Sequence, residues 1–425
     1  MLLDVHNQIA GSSRRRAMTV IELVVVLAIV LLLLAVFAPL IRSTGKDRRL
    51  REASRAMGGY INGARTLASQ RGRPVGIWIE RIVSQQQIVH GQYATEVFTA
   101  EVPPPYNGIT NGATARIELH RIDPTDPTLG SRWEIDFIAS WMTGADFRWG
   151  NASTDDNGNG VRDDFAERGW QGSDDTPVFD PLMYNPSPST AMVKPGESFR
   201  IRFDYRGPLY RGRRLPGLPT DHTYVLDAPY PGSPPPPLFA NTASGAPFQL
   251  FRHPKRSSAE PLRLPANTAI DLSASGFGAS GIELGRGLND PIVILFNPAG
   301  DLDRVYVGAV EVPITDSLYL LIGRPQQVLG FNGLFTSNNV DISNLMDMAT
   351  LWVSISHRSG QVTTTENASP WSAGADGAWG VAGTDDDGNG SVDDVGERGF
   401  AGSDDFLAIF PSRQFARAKI GMGGR

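Results

Sequence analysis

The spacing of apolar and polar positions divides the chain into stretches of different period. From Leu23 to Ile41 it reads LVVVLAIVLLLLAVFAPLI, nineteen residues without a charge. At about 1.5 Å per residue a helix of that length covers roughly 28 Å, close to the hydrocarbon thickness of a bilayer. The run therefore predicts a transmembrane span over 23–41. Beyond it, Leu50, Ala53, Met57, Tyr60, Ile61, Ala64, Leu67 and Ala68 recur at steps of three and four with Arg and Glu between them. That is the period of an amphipathic helix. Gly72 and Pro74 end the run. One helix is expected over 18–72, apolar in its first half and one-sided in its second.

From residue 73 the pattern turns to short alternating or β-rich runs. They lie at Val75–Val83, Gln87–Val102, Ala115–Ile122, Trp133–Trp141, Ser198–Tyr205, Ile292–Phe296, Arg304–Val310, Ser317–Ile322 and Thr350–Thr365. Ser359-Gly360 marks a hairpin turn inside the last. Between Arg206 and Asp290 loop chemistry dominates, with Ser233 followed by Pro234 to Pro237, and the stretch reads as a long insertion. The expected class is α+β: a long N-terminal helix packed on a mainly antiparallel β-sheet head, 73–425, carrying long loop insertions.

Inside that head lies a repeat. Residues 144–175 and 374–405 align without a gap at an offset of 230, with 21 of 32 positions identical. Two copies this far apart are two loops of one kind rather than a solenoid. Each holds oxygen-bearing side chains on alternate residues followed by Gly. They are Asp155, Asn157, Asn159 and Gly160 in the first copy, and Asp385, Asp387, Asn389 and Gly390 in the second. This matches the first half of an EF-hand-type calcium loop, in which the Gly lets the seventh carbonyl, here Val161 or Ser391, face the ion. Position twelve is Ala166 or Gly396, so the usual bidentate acid is missing. Asp163, Asp164 and Glu167, and Asp393, Asp394 and Glu397, stand near that position instead. Two Ca²⁺ sites are expected if these residues ligate; plain solvated turns are the other reading. Trp149/Trp379 and Trp170/Phe400 bracket the loops and are expected to anchor them.

Composition narrows the chemistry. The 39 basic and 45 acidic side chains leave a net charge of −6, which gives no reason to expect a nucleic-acid partner. Cys is absent, so thiolate metal sites and cysteine nucleophiles are excluded. The six His are scattered, and no P-loop, HExxH or GxSxG is present. Gly276–Gly281 fits GxGxxG but shows no strand before it or helix after it, so a flexible loop is expected. No enzyme is expected.

Basic residues flank the apolar run on both sides, Arg14, Arg15 and Arg16 before it and Arg42, Lys46, Arg48, Arg49, Arg51 and Arg55 after it. Charge alone does not settle an orientation. The exception inside the run's edge is Glu22, a carboxylate that either sits at headgroup level or serves a function there. Its surroundings, Ala17-Met18-Thr19-Val20-Ile21-Glu22-Leu23 behind a basic leader, resemble the type IV prepilin signal of pilins and type II secretion pseudopilins. Ala17 stands where that family usually has glycine, and Met18 where it has phenylalanine. The stretch Ala64–Val75 is similar to the helix-to-strand junction of the minor pseudopilins of the H type.

The resemblance implies a cytoplasmic leader, 1–17, cut by a prepilin peptidase between Ala17 and Met18, and N-methylation of the new terminus. It gives Glu22 the part of the assembly glutamate. It further implies partners among other pilins or pseudopilins through the N-terminal helix, an inner-membrane assembly platform, and a single-pass protein with its head in the periplasm or outside the cell. A carboxylate at Glu22 and a fresh ammonium at Met18 of the next subunit would fix axial register. Two function classes result: a pilin-like structural subunit, of minor type given its bulk, or a membrane-anchored calcium-dependent binding protein that does not polymerise.

Overall fold

A single helix, Val20–Arg71, opens the fold and runs 52 residues. The computed structural model describes residues 20–82, 91–121, 131–185, 191–215, 223–227, 245–286, 290–329, 343–400 and 402–422. In the helix's second half, Leu50, Ala53, Met57, Ile61, Ala64 and Ala68 are all buried, the stripe that their three- and four-residue spacing sets on one face. Gly72 stops the helix in a left-handed conformation, φ 63°, where a residue without Cβ is unstrained.

Two antiparallel sheets close on that stripe. One contains Val75–Glu80 between Glu96–Glu101 and Ile292–Phe296, extended by Leu302–Val307 and Val310–Val312. The other runs Val362–Glu366, Leu351–Ile355, Leu318–Gly323, Ala269–Phe277 and Tyr93–Ala94. Ile77, Ile294 and Val305 from the first and Leu272, Leu320 and Val353 from the second join the helix in one apolar core. Arg65 ties the helix to both, donating from Nε to the Gly300 carbonyl (3.0 Å) and from Nη2 to that of Ser359 (2.8 Å). The far face of the second sheet is covered by the C-terminal segment, with Ile409 and Ala416 against Tyr319 and Trp352.

The chain leaves this body after Glu101 and returns at Lys255, and these two residues are cross-strand partners. Between them lies a third sheet, in the order Phe248–Phe251, Ser198–Phe203, Tyr210–Arg214, Tyr224–Leu226, Ser131–Met142 and Thr114–Arg121, with its own core around Phe137, Phe199, Tyr224 and Phe248. It docks on the hairpin joining Leu302–Val307 to Val310–Val312. There Arg200 and Arg211 hold Glu311, and Ser198 Oγ donates to the Ala309 carbonyl (2.8 Å).

Several expectations are corrected. The class is not the expected α+β: outside the one helix the described chain is mostly β-sheet, and its other helices are short. The transmembrane span over 23–41 does not stand, because among the described residues no helix is long and apolar enough to cross a membrane. The single-pass inner-membrane placement falls with the span. Within 206–290, read as loop, lie Tyr210–Arg214, Tyr224–Leu226, Phe248–Phe251 and Ala269–Phe277.

The GxGxxG stretch does follow a strand. It is pinned rather than flexible: the buried Arg413 donates to the carbonyls of Ala274, Gly278 and Gly281 (2.8–2.9 Å). Burial lowers the pKa of the Arg413 guanidinium to about 9, with Tyr319 and the Glu283 carboxylate pulling back against that shift.

Candidate functional site: the twin acidic loops

Each loop is closed by a short antiparallel stem. Trp141 and Met142 pair with Pro177 and Thr176, and Trp371 and Ser372 pair with Leu407 and Phe406. Every one of these positions obeys the offset of 230, so the repeat extends past 144–175 into its stem. A Cβ on Gly169 would lie 2.4 Å from the Trp141 ring, and one on Gly399 equally close to that of Trp371. Those two indoles, missed in the sequence, are the anchors; the constant offset was the available signal. The expected anchor Trp149 instead stacks edge-on against Phe165 at 5.3 Å, and Phe400 is largely exposed.

Hydrogen bonds within each loop follow one plan. Asp155 accepts from the backbone of Asn159 (3.0 Å) and Gly160 (2.7 Å), as Asp385 does from Asn389 (3.1 Å) and Gly390 (2.9 Å). Asn157 and Asp387 accept from those same Asn backbones (2.9 and 3.0 Å). The Asn159 side chain accepts from Val161 and donates to Asp164; Asn389 does likewise with Ser391 and Asp394. Asp164 and Asp394 cap short helical turns, Phe165–Glu167 and Val395–Glu397. The Asp164 carboxyl is held below the usual aspartate range, chiefly by the Asn159 amide and then by the Ala166 backbone, against some desolvation.

Glu167 and Glu397 are the buried members. Each spans its loop, accepting from the backbone of Asp156 or Asp386 and of Asp164 or Asp394. They stand one residue past the position where an EF-hand loop carries its bidentate acid. In the second copy one oxygen each of Asp385, Asp387 and Glu397 lies within 4.8 Å of the others. The donors are all oxygens, the set a hard cation such as Ca²⁺ takes. Asp163 and Asp393 adopt left-handed backbone (φ 55° and 58°), and their carboxylates bind the Ser153 and Gly383 amides (2.6 and 2.7 Å). These two staple the loop shut, and Asp163 also pairs with Arg148 at 2.9 Å.

The processing residues Ala17 and Met18 lie outside the described residues. Glu22 falls within the helix Val20–Arg71, and its side chain is outside the description. No protein-family model, curated protein or solved structure matches the chain, so the pilus and secretion labels have no support from comparison.

Proposed function

We propose that this chain is a pilin-like structural subunit that packs with like subunits through its N-terminal helix. The observation that supports it best is the division of that helix. Its second half is enclosed by two sheets, whereas every described side chain from Val20 to Leu32 is exposed and apolar. A helix apolar all round is stable only when covered, and neighbouring helices of the same kind would cover it. On this reading the mature chain begins at Met18 and Glu22 sets the register between subunits. Amino-terminal peptide mass spectrometry should find Met18 first, and Glu22→Ala should lower recovery in the assembled fraction while the head melts as in wild type. A chain that begins at Met1 and assembles equally well with Glu22→Ala would refute the reading.

A second reading, a calcium-dependent binding protein that does not polymerise, draws on the convergence of Asp385, Asp387 and Glu397. A calcium titration with a chelator control tests it: binding heat in a chain that stays monomeric would favour this reading over assembly.

A further inference from the structure

Charge is segregated along this chain. The first loop copy holds eight acids and three bases, net −5, and the second nine acids and one base, net −8, so the rest of the chain carries +7. A strongly positive run in the head is the hairpin 198–215, with six arginines against Asp204. Arg200 pairs with the Glu311 carboxylate, Arg211 pairs with Asp227 (3.1 Å) and donates to the Glu311 carbonyl, and Arg214 is buried. Arg213 reaches Asp227 only at 3.5 Å and stays 58% exposed. Arg202 and Arg206 form no ion pair among the described residues. In the first acidic loop the ion pair among described residues is internal, Arg148 with Asp163.

The two charged surfaces sit at opposite ends of one sheet. Arg213 lies beside Val225, which lies beside Glu134, and extending that register sets Tyr210 level with Ser131. The strand Ser131–Met142 then runs away from the basic turn at 204–209 and delivers the acidic loop at its far end. Eleven residue steps make roughly 36 Å, several times the ~8 Å screening length of physiological salt. Within one molecule the two surfaces cannot neutralise each other.

Each end also displays an aromatic residue in an unfavourable backbone conformation. Phe147, at φ 58°, is 85% exposed at the tip of the first loop. Tyr205, at φ 56°, is exposed at the basic turn, as is Leu209 four residues on. Bulky side chains are rare at such φ, and such strain is characteristic of functional positions. The second loop copy places Gly377 where Phe147 stands, at φ 75°, so the fold of the loop does not need the phenylalanine.

We propose that the acidic loop 144–175 of one copy, Phe147 foremost, docks on the basic turn 202–213 of a second copy. The contact joins two different patches, so it propagates end to end rather than closing a dimer. It is independent of helix packing.

Sedimentation velocity on the full chain in chelator, at low and at high salt, tests it. Self-association with a salt-sensitive component is expected, weakened at least about tenfold by Arg202→Glu with Arg206→Glu. Phe147→Gly should weaken it as well, with the melting temperature roughly unchanged. Asp146 is exposed and accepts a hydrogen bond from the Arg148 backbone amide. Asp146→Arg should therefore recover part of what Arg206→Glu loses when the two are combined. Association driven by the helix alone would ignore all of these changes. A wild type without salt-sensitive association, or variants that associate as it does, would overturn the proposal.

Discussion

Asp271 is fully enclosed in the strand Ala269–Phe277. It accepts from Ser273 through backbone (3.1 Å) and hydroxyl (2.5 Å), and from the Asn344 amide (2.8 Å). Burial pushes its carboxyl up to about 6, and those hydrogen bonds pull back against the shift. The folded state therefore holds a proton that the unfolded chain has released between about pH 4 and 6, so stability falls as pH rises through that window. Two pH units correspond to about 3 kcal/mol at most. Chemical denaturation of wild type should show that decline from pH 4 to 7, and Asp271→Asn should flatten it. An equally steep decline in the variant would place its origin elsewhere. Nothing in the sequence marks Asp271. Every residue of its strand is buried, so the alternation that reveals a strand with one wet face is absent.

At the level of elements, the one-sided half of the helix was readable because one face meets the core and the other meets water. So were strands with clear alternation, such as the run Trp133–Trp141, which falls within Ser131–Met142, and the repeat itself. What escaped were contacts distant in sequence: the indoles beneath Gly169 and Gly399, the Arg413 clamp, and the cover over Ala269–Phe277. The twin loops also differ in a way that bears on cation binding. The second has Asp387 where the first has Asn157, one more formal negative charge in an otherwise matching set, and calcium affinity rises with ligand charge. If they bind, a calorimetric titration should resolve two unequal sites, and calcium should raise the melting temperature through its preference for the folded state. Asp385→Ala should remove the tighter site and Asp155→Ala the weaker. No binding heat and no shift at millimolar calcium would leave both loops as plain turns.

For the whole molecule, the third sheet is tethered in a particular way. It leaves the helix-bearing body after Glu101 and returns at Lys255, its partner across the ladder, and it brings its own aromatic core. Its other ties to the body gather at one hairpin. There His253 lies 3.0 Å from the Gly308 carbonyl and edge-on to Tyr306, with burial lowering the affinity of its ring for a proton. Replacing 103–253 by two residues should leave a body that melts cooperatively and keeps the helix signal in circular dichroism. A molten or aggregated product would show that the third sheet is needed to form the body.

The reason is one of chain topology. A ladder pair separated by about 150 residues of free chain would form against a heavy closure entropy, roughly 3 kcal/mol more than across a four-residue turn. Here the intervening chain can fold first and bring its own ends together. The strand Glu96–Glu101 then meets Lys255–Arg256 as if across a tight hairpin, and a long-range pairing acquires the closure cost of a local one.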